Sequence, residues 1–159
     1  MTLKTIILRH RRENLRKCSL RGLEEHPDLL FYTYPIHPLP LLSGYIVLEV
    51  GAPPLTIADQ EYGLLLIDGT WRLAETMRKS ISQPMLARSL PSGFKTAYPR
   101  KQTGCPDPES GLASIEALYL AHKILKRSTE GLLNHYYWEK TFLDINADFG
   151  RFLFFGTNQ

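Results

Sequence analysis

Apolar runs in the first half of the chain predict buried strands. Residues 4–8 (KTIIL) form one short run, residues 44–50 (GYIVLEV) are almost continuously apolar, and residues 63–68 (GLLLID) repeat that pattern. Continuous apolar runs of this length are typical of parallel strands covered on both faces. Thr56 can cap a short helix through Tyr62 between the second and third runs. These elements predict a β-α-β unit.

Helical spacing dominates the rest of the chain. A helix is predicted over residues 71–79, with Thr70 as its N-cap. Apolar residues on more than one side predict a buried helix over residues 110–126, and a further apolar set predicts a last helix over residues 129–146. The fold class is therefore α/β. The remaining expectations are a helix around residues 11–22, a turn or extended segment at 35–40, a strand at 94–97, loops at 82–93 and 99–111, and an aromatic tail at 149–155.

Positive charge is concentrated in two stretches, although the net charge is only +3. Residues 1–22 carry seven lysines and arginines against the single acid Glu13, and residues 78–106 carry six basic residues and no acid. If both stretches share one face, they suit the phosphate backbone of RNA or DNA. The alternative is an ordinary solvated charged surface. An anionic membrane is a weaker option, because neither stretch has an apolar stripe.

Composition and motifs exclude several classes of protein. The chain has 159 residues, of which 43% are hydrophobic, and this suits one globular domain. Its two cysteines and five histidines show no metal-ligand spacing, and no glycine-rich nucleotide motif is present, so no metal is expected. No apolar run reaches the ~20 residues of a membrane span, and the start does not resemble a secretory signal. We therefore expect a cytoplasmic protein.

One acid lies where an α/β sheet usually binds its ligand. Asp68 ends a predicted strand and is followed by Gly69, Thr70 and Trp71. Ligands of open parallel sheets bind beyond the carboxyl ends of the strands, which makes Asp68 a candidate for chemistry. A purely structural interpretation is equally open at this point, in which Asp68 or Thr70 caps the next helix and Trp71 fills the core.

Several motifs resemble one family. Residues 68–74 (DGTWRLA) are similar to the signature of DTW-domain proteins, and residues 88–91 (RSLP) and 111–117 (GLASIEA) resemble their downstream blocks. Residues 17–23 (KCSLRGL) and 132–146 (LLNHYYWEKTFLDIN) look more like the related small-subunit rRNA aminocarboxypropyltransferases. The resemblance covers nearly the whole chain.

The resemblance implies a SPOUT-like α/β sheet whose C-terminal part is threaded into a trefoil knot. It implies a single domain over residues 1–159, with a basic N-terminal part (1–43) and a cofactor-binding, knotted part (44–159). The implied reaction transfers the 3-amino-3-carboxypropyl group of S-adenosylmethionine to N3 of a uridine, or a modified uridine, in tRNA or rRNA. Methylthioadenosine is left, and no metal is needed. The oligomeric state stays open, with a monomer favoured.

The resemblance also implies roles for particular residues. Asp68 would be the catalytic carboxylate, which accepts the N3 proton, orients the base or balances the sulfonium charge. The cofactor pocket would be lined by Ser19, Ile67, Thr70, Trp71, Leu90, Leu112 and Ala113. RNA phosphates would be held by Arg9, Arg11, Arg12, Lys17, Arg100 and Lys101. Two alternatives remain, namely methyl transfer from the same cofactor on a similar knot, and an RNA-binding or ribosome-assembly module without chemistry.

Overall fold

The computed structural model describes residues 3–16, 18–98 and 111–148. Within these residues the strands form a five-stranded sheet in the order β2-β1-β4-β3-β5, and every neighbouring pair is parallel. The strands are β1 (Thr5–His10), β2 (Leu29–Tyr34), β3 (Tyr45–Leu48), β4 (Gly63–Asp68) and β5 (Leu86–Arg88). The helices are α1 (Trp71–Ser80), α2 (Ser114–Ile124) and α3 (Glu139–Ile145), together with a short 3-10 helix, Ile57–Asp59.

Helices pack on both faces of the sheet. Side chains alternate along a strand, so Ile6 and Leu8 of β1 pack beside Met77 of α1 on one face. Ile7 of β1 packs on the other face, in a cluster that includes Leu118 of α2. All six residues of β1 are buried, and β4 is buried except at Ile67. This double covering explains the continuous apolar runs in the sequence.

The strand order places a topological switch point between β1 and β4. From β1 the chain continues to β2 on one side of the sheet, and from β4 it continues through α1 to β5 on the other side. The two connections therefore diverge where β1 and β4 end, and Arg9 pairs with Asp68 in register there. Ligands of open α/β sheets bind in such a crevice.

The sequence-based assignments agree best with the central strands. Strand β4 occupies the predicted residues 63–68, α1 begins directly after Thr70, and a 3-10 helix capped by the Thr56 hydroxyl joins β3 to β4. The segment at 35–40 contains turns and no helix or strand, as expected. Strand β2 was not predicted.

Four assignments are wrong. The described residues of 11–22 form turns, residues 82–93 contain β5, and residues 94–97 form no strand. The last helix covers only Glu139–Ile145, because the preceding residues from 126 onward turn repeatedly and Gly131 has a φ of +78°. The long loop from residue 99 to 110 and the aromatic tail lie outside the described residues. Among the described helices, none is both long and apolar enough to cross a membrane.

Candidate active site

Asp68 is the centre of a buried polar cluster at the switch point. The residue is 3% exposed, although it lies at the end of a strand. The Ser114 hydroxyl donates to Oδ1 at 2.7 Å, and the Cys18 thiol donates to Oδ2 at 3.3 Å. The Arg9 guanidinium also reaches Oδ2, at 3.4 Å. The carboxylate thus receives hydrogen bonds from a loop, from the first residue of α2 and from the neighbouring strand.

Arg9 is not placed to hold an RNA phosphate, contrary to the sequence-based expectation. The residue is 7% exposed, and its guanidinium lies 4.7 Å from the centre of the Phe31 ring. It pairs with Asp68 and lies 3.9 Å from an Glu24 carboxylate oxygen. A buried ionised carboxylate needs a paired charge. Arg9 provides that charge, because the strand continues two residues further than the sequence pattern indicated and turns Arg9 inward.

Cys18 completes the cluster as a neutral thiol. Burial, followed by the nearby Asp68 carboxylate, raises the pKa of Cys18 to about 12. The thiol therefore acts as a hydrogen-bond donor at neutral pH. Possible ligand atoms of Glu13, Cys18 and Asp68 lie within 4.8 Å of one another. The Arg9 guanidinium bonds to both Cys18 and Asp68, and a cation in that position favours a hydrogen-bonded cluster over a metal centre.

The beginning of α2 is held against the cluster by a residue distant in sequence. The Ser19 hydroxyl accepts a hydrogen bond of 3.1 Å from the backbone N–H of Ile115. Ala113 occupies the N-cap position of α2 and has no side-chain acceptor, so Ser19 supplies the capping oxygen instead. This contact places the positive end of the α2 dipole, and the Ser114 hydroxyl, beside Asp68.

Glu116 fixes the same helix from its other side. Its carboxylate is fully buried and accepts four hydrogen bonds of 2.7–2.8 Å. The four donors are the Thr96 hydroxyl, the backbone N–H groups of Ala97 and Ala113, and the Tyr136 hydroxyl. Glu116 therefore ties together the chain on both sides of residues 99–110 and the segment before α3.

The other residues expected to line a cofactor pocket fall into two groups. Leu90 and Leu112 are half-buried and pack on the same apolar cluster as the fully buried Ala113. Ile67 packs on the opposite face of the sheet, one residue before Asp68. Because α1 begins directly after Thr70, Thr70 and Trp71 also stay at this edge.

Thr70 does not cap α1 through its side chain, and Trp71 does not fill the core, as a purely structural interpretation of the sequence would have them do. Thr70 is exposed, and its hydroxyl makes no capping hydrogen bond. Trp71 is half-buried and belongs to none of the apolar clusters formed by the described residues. An added Cβ at Gly69 would lie 2.9 Å from Met77 Cε, the flexible end of that side chain. Both side chains therefore remain at the edge of the sheet, outside the core.

The expected RNA-binding residues are only partly described. Arg11 and Arg12 are exposed in the turn after β1. Lys17, Arg100 and Lys101 lie outside the described residues. The roles of Arg9, Cys18, Ser114 and Glu116 were missed in the sequence, since each depends on contacts between distant segments. The only available signal was the strand at 4–8, which could have been continued through Arg9 and His10.

The fold and the cluster together define a ligand-binding α/β domain with its site at a sheet switch point. No family model matches the chain, and no curated relative is similar enough to match it. Among solved structures, the chain is similar to the SAM-dependent rRNA:acp-transferase Tsr3 from Vulcanisaeta distributa. The two share 28% sequence identity, with a TM-score of 0.75, over 98% of this chain and 85% of that chain.

Proposed function

We propose that this protein transfers the 3-amino-3-carboxypropyl group of S-adenosylmethionine to N3 of a uridine, or a modified uridine, in RNA. One observation carries the proposal: the similarity to a SAM-dependent rRNA:acp-transferase extends over 98% of the chain. It includes the switch point at which Asp68 lies. Whether the RNA is rRNA, as in Tsr3, or tRNA is decided by experiment.

The chemistry requires positioning above all. A bond forms between uridine N3 and the terminal carbon of the aminocarboxypropyl group, while the bond from that carbon to the sulfonium sulfur breaks. The electron pair of the broken bond stays on sulfur, methylthioadenosine leaves, and the N3 proton passes to solvent. All three carbons on a sulfonium are electrophilic, so the protein must choose which one meets the base.

The described residues fit such a co-substrate. The start of α2 offers the positive end of a helix dipole, which suits the carboxylate of the methionine part. Trp71 provides an aromatic face at the same edge, suitable for a sulfonium or a base. Ser19, Ile67, Thr70, Trp71, Leu90, Leu112 and Ala113 are the proposed pocket lining.

Asp68 acts in this proposal by orientation and charge. Its oxygens already accept from Ser114, Cys18 and Arg9. Asp68 is 3% exposed and lies beside the first turn of α2. It holds the Ser114 hydroxyl, and with it the start of α2, in a fixed position beside the reacting groups. These contacts support a role for Asp68 in orienting the base and balancing the sulfonium charge.

The remaining features of the family complete the proposal. The chain would belong to the DTW-domain superfamily and carry a trefoil knot in its C-terminal part. It would form one domain, with a basic part over residues 1–43 and a cofactor-binding part over residues 44–159. The protein would be a cytoplasmic monomer. RNA phosphates would contact Arg11, Arg12, Lys17, Arg100 and Lys101. Arg9 is removed from that set, because it is paired with Asp68.

Replacing Asp68 tests the proposal. We expect calorimetry to detect binding of S-adenosylmethionine to the wild-type protein, and we expect methylthioadenosine to appear when RNA is added. Asp68→Asn should slow this release by about 10²-fold or more, a loss typical of removing one positioned polar group. Asp144→Asn is the matched control, because its side chain is 67% exposed on α3. A wild-type protein that binds no S-adenosylmethionine would exclude the enzyme and favour a non-catalytic RNA-binding module.

A further inference from the structure

We propose that the exposed ring of Tyr137, on a segment that packs against the turn at residues 18–22, is a stacking platform for an unpaired base of the RNA. This inference rests on the proposed function and deepens it. It assigns the substrate as single-stranded at the modified position, and it names the surface that holds the neighbouring nucleotide.

Tyr137 is unusual for a large aromatic residue, because 87% of it is exposed. Its ring lies 5.0 Å from that of Trp138, at an interplanar angle of 74°. Trp138 contacts Tyr98 and Tyr136 in turn, with ring centres 5.3 and 6.0 Å apart. Tyr137 therefore extends an aromatic cluster to the surface, where a base can stack on its exposed ring.

Positive charge lies on a turn that packs against the segment of Tyr137. Gly22 has a φ of +92°, and an added Cβ there would lie 2.6 Å from the His135 ring, so the turn packs closely on the segment that carries Tyr137. Arg16 and Arg21 are exposed on that turn, and Arg21 donates to the Arg16 carbonyl. Glu24 is directed toward the Gly22 N–H. An exposed aromatic ring with arginines on a neighbouring segment matches the chemistry of single-stranded nucleic acid.

The same turn connects the platform to the active site. Cys18 bonds to Asp68 at 3.3 Å, while Gly22, four residues later, contacts His135. Four residues span at most about 14 Å. The Tyr136 hydroxyl also bonds to Glu116, two residues after Ser114 in α2. Two chains of contacts therefore join the segment that carries Tyr137 to the elements that carry Asp68 and Ser114.

The reaction itself requires an unpaired base. N3 of uridine lies on its Watson–Crick edge, which is occupied in a duplex. A uridine that reacts at N3 must be unpaired or displaced from a helix, so its neighbours lose stacking partners as well. Sequence-specific proteins commonly replace such lost stacking with aromatic side chains. Tyr137 meets this need for the adjacent base.

Binding of a labelled oligonucleotide tests the platform. The probes are a fluorescent uridine-containing 12-nucleotide single strand and the duplex formed with its complement, both measured by anisotropy. We expect Tyr137→Ala to weaken single-strand binding about tenfold, and Tyr137→Phe to retain it, because the ring is preserved. Leu41→Ala is the matched control, since Leu41 is 84% exposed elsewhere on the surface. Arg21→Gln should weaken binding and reduce its salt dependence.

The outcomes separate this proposal from the proposed function. Unchanged single-strand affinity in Tyr137→Ala would overturn the platform, as would equal affinity for the duplex and the single strand. A change in oligomeric state in Tyr137→Ala without any change in RNA affinity would also overturn it, in favour of self-association. Loss of RNA affinity in Tyr137→Ala with undiminished S-adenosylmethionine binding supports it. If the wild-type protein binds RNA through Tyr137 but binds no S-adenosylmethionine, the platform stands and the enzyme proposal fails.

Discussion

Removal of the Glu116 carboxylate should destabilise the protein and disturb the site together. Glu116 is fully buried and accepts four hydrogen bonds. Glu116→Ala leaves those four donors without their acceptor. Two of them belong to the half-buried residues Thr96 and Ala97 and can turn toward water. The other two, the N–H of Ala113 and the hydroxyl of Tyr136, belong to buried residues.

The expected magnitude follows from those two buried donors. A buried donor left without a partner costs about 1–3 kcal/mol, so the pair costs about 2–6 kcal/mol. Removing a buried charge also removes its desolvation penalty, which offsets part of that cost. We expect a loss of about 3 kcal/mol for Glu116→Ala. Glu116→Gln retains one acceptor oxygen but turns an NH₂ group toward two donors, so we expect about half that loss.

Urea unfolding followed by circular dichroism measures the effect. Glu75→Ala is the matched control, because Glu75 is exposed and forms only an (i,i+4) ion pair with Lys79, and such pairs contribute under about 0.5 kcal/mol. Calorimetry with S-adenosylmethionine on the same variants should show weaker binding by Glu116→Ala, because Ala113 and the start of α2 lose their anchor. A Glu116→Ala protein within about 1 kcal/mol of wild type would refute the account of this carboxylate as a structural centre.

Three further predictions concern single side chains. Ser19→Ala should cost about 1 kcal/mol in urea unfolding by removing the remote cap of α2, whereas Ser19→Thr should retain most of the stability; equal loss in both would contradict the capping role. Burial lowers the pKa of His122 below its ordinary value of 6.5, so on acidification the unfolded chain binds the proton before the folded protein does. The free energy of unfolding should therefore be highest above about pH 6.5 and fall as the pH drops through the folded pKa. His122→Gln should flatten that dependence of unfolding free energy on pH. If the variant shows the same dependence as the wild-type protein, other groups cause it and the prediction is wrong. In a Cys105→Ser background, Cys18 should resist iodoacetamide at pH 8, because a pKa of about 12 leaves only about one thiol in ten thousand ionised; native alkylation as fast as in urea would contradict its burial.

The sequence predicted the parts of the fold that local patterns determine. Strand β4 was recognised because it is apolar on both faces, and α1 because a turn and a capping-type residue precede it. Strand β5 was missed because it is only three residues long and follows Pro84 closely. The helix at 129–146 was overestimated, since apolar spacing does not show that the chain turns repeatedly before Glu139.

For the site, too, local patterns predicted some residues and distant contacts determined the others. Asp68 was predicted, because a carboxylate after a buried strand is visible in the sequence. Arg9 was interpreted as a surface charge, because a cluster of basic residues does not reveal which member is turned inward. Its partner lies 59 residues away, and Ser114 lies 46 residues from Asp68. Contacts between residues so far apart depend on the order of the strands in the sheet, which a single sequence does not reveal.

Doubly labelled S-adenosylmethionine tests the central claim most directly. The co-substrate carries one isotope in its methyl group and another in its carboxyl group, and both are followed after reaction with RNA that lacks the modification. The account predicts that the carboxyl label enters the RNA, while the methyl label leaves in methylthioadenosine. Entry of the methyl label into RNA, with the carboxyl label released in S-adenosylhomocysteine, would contradict it.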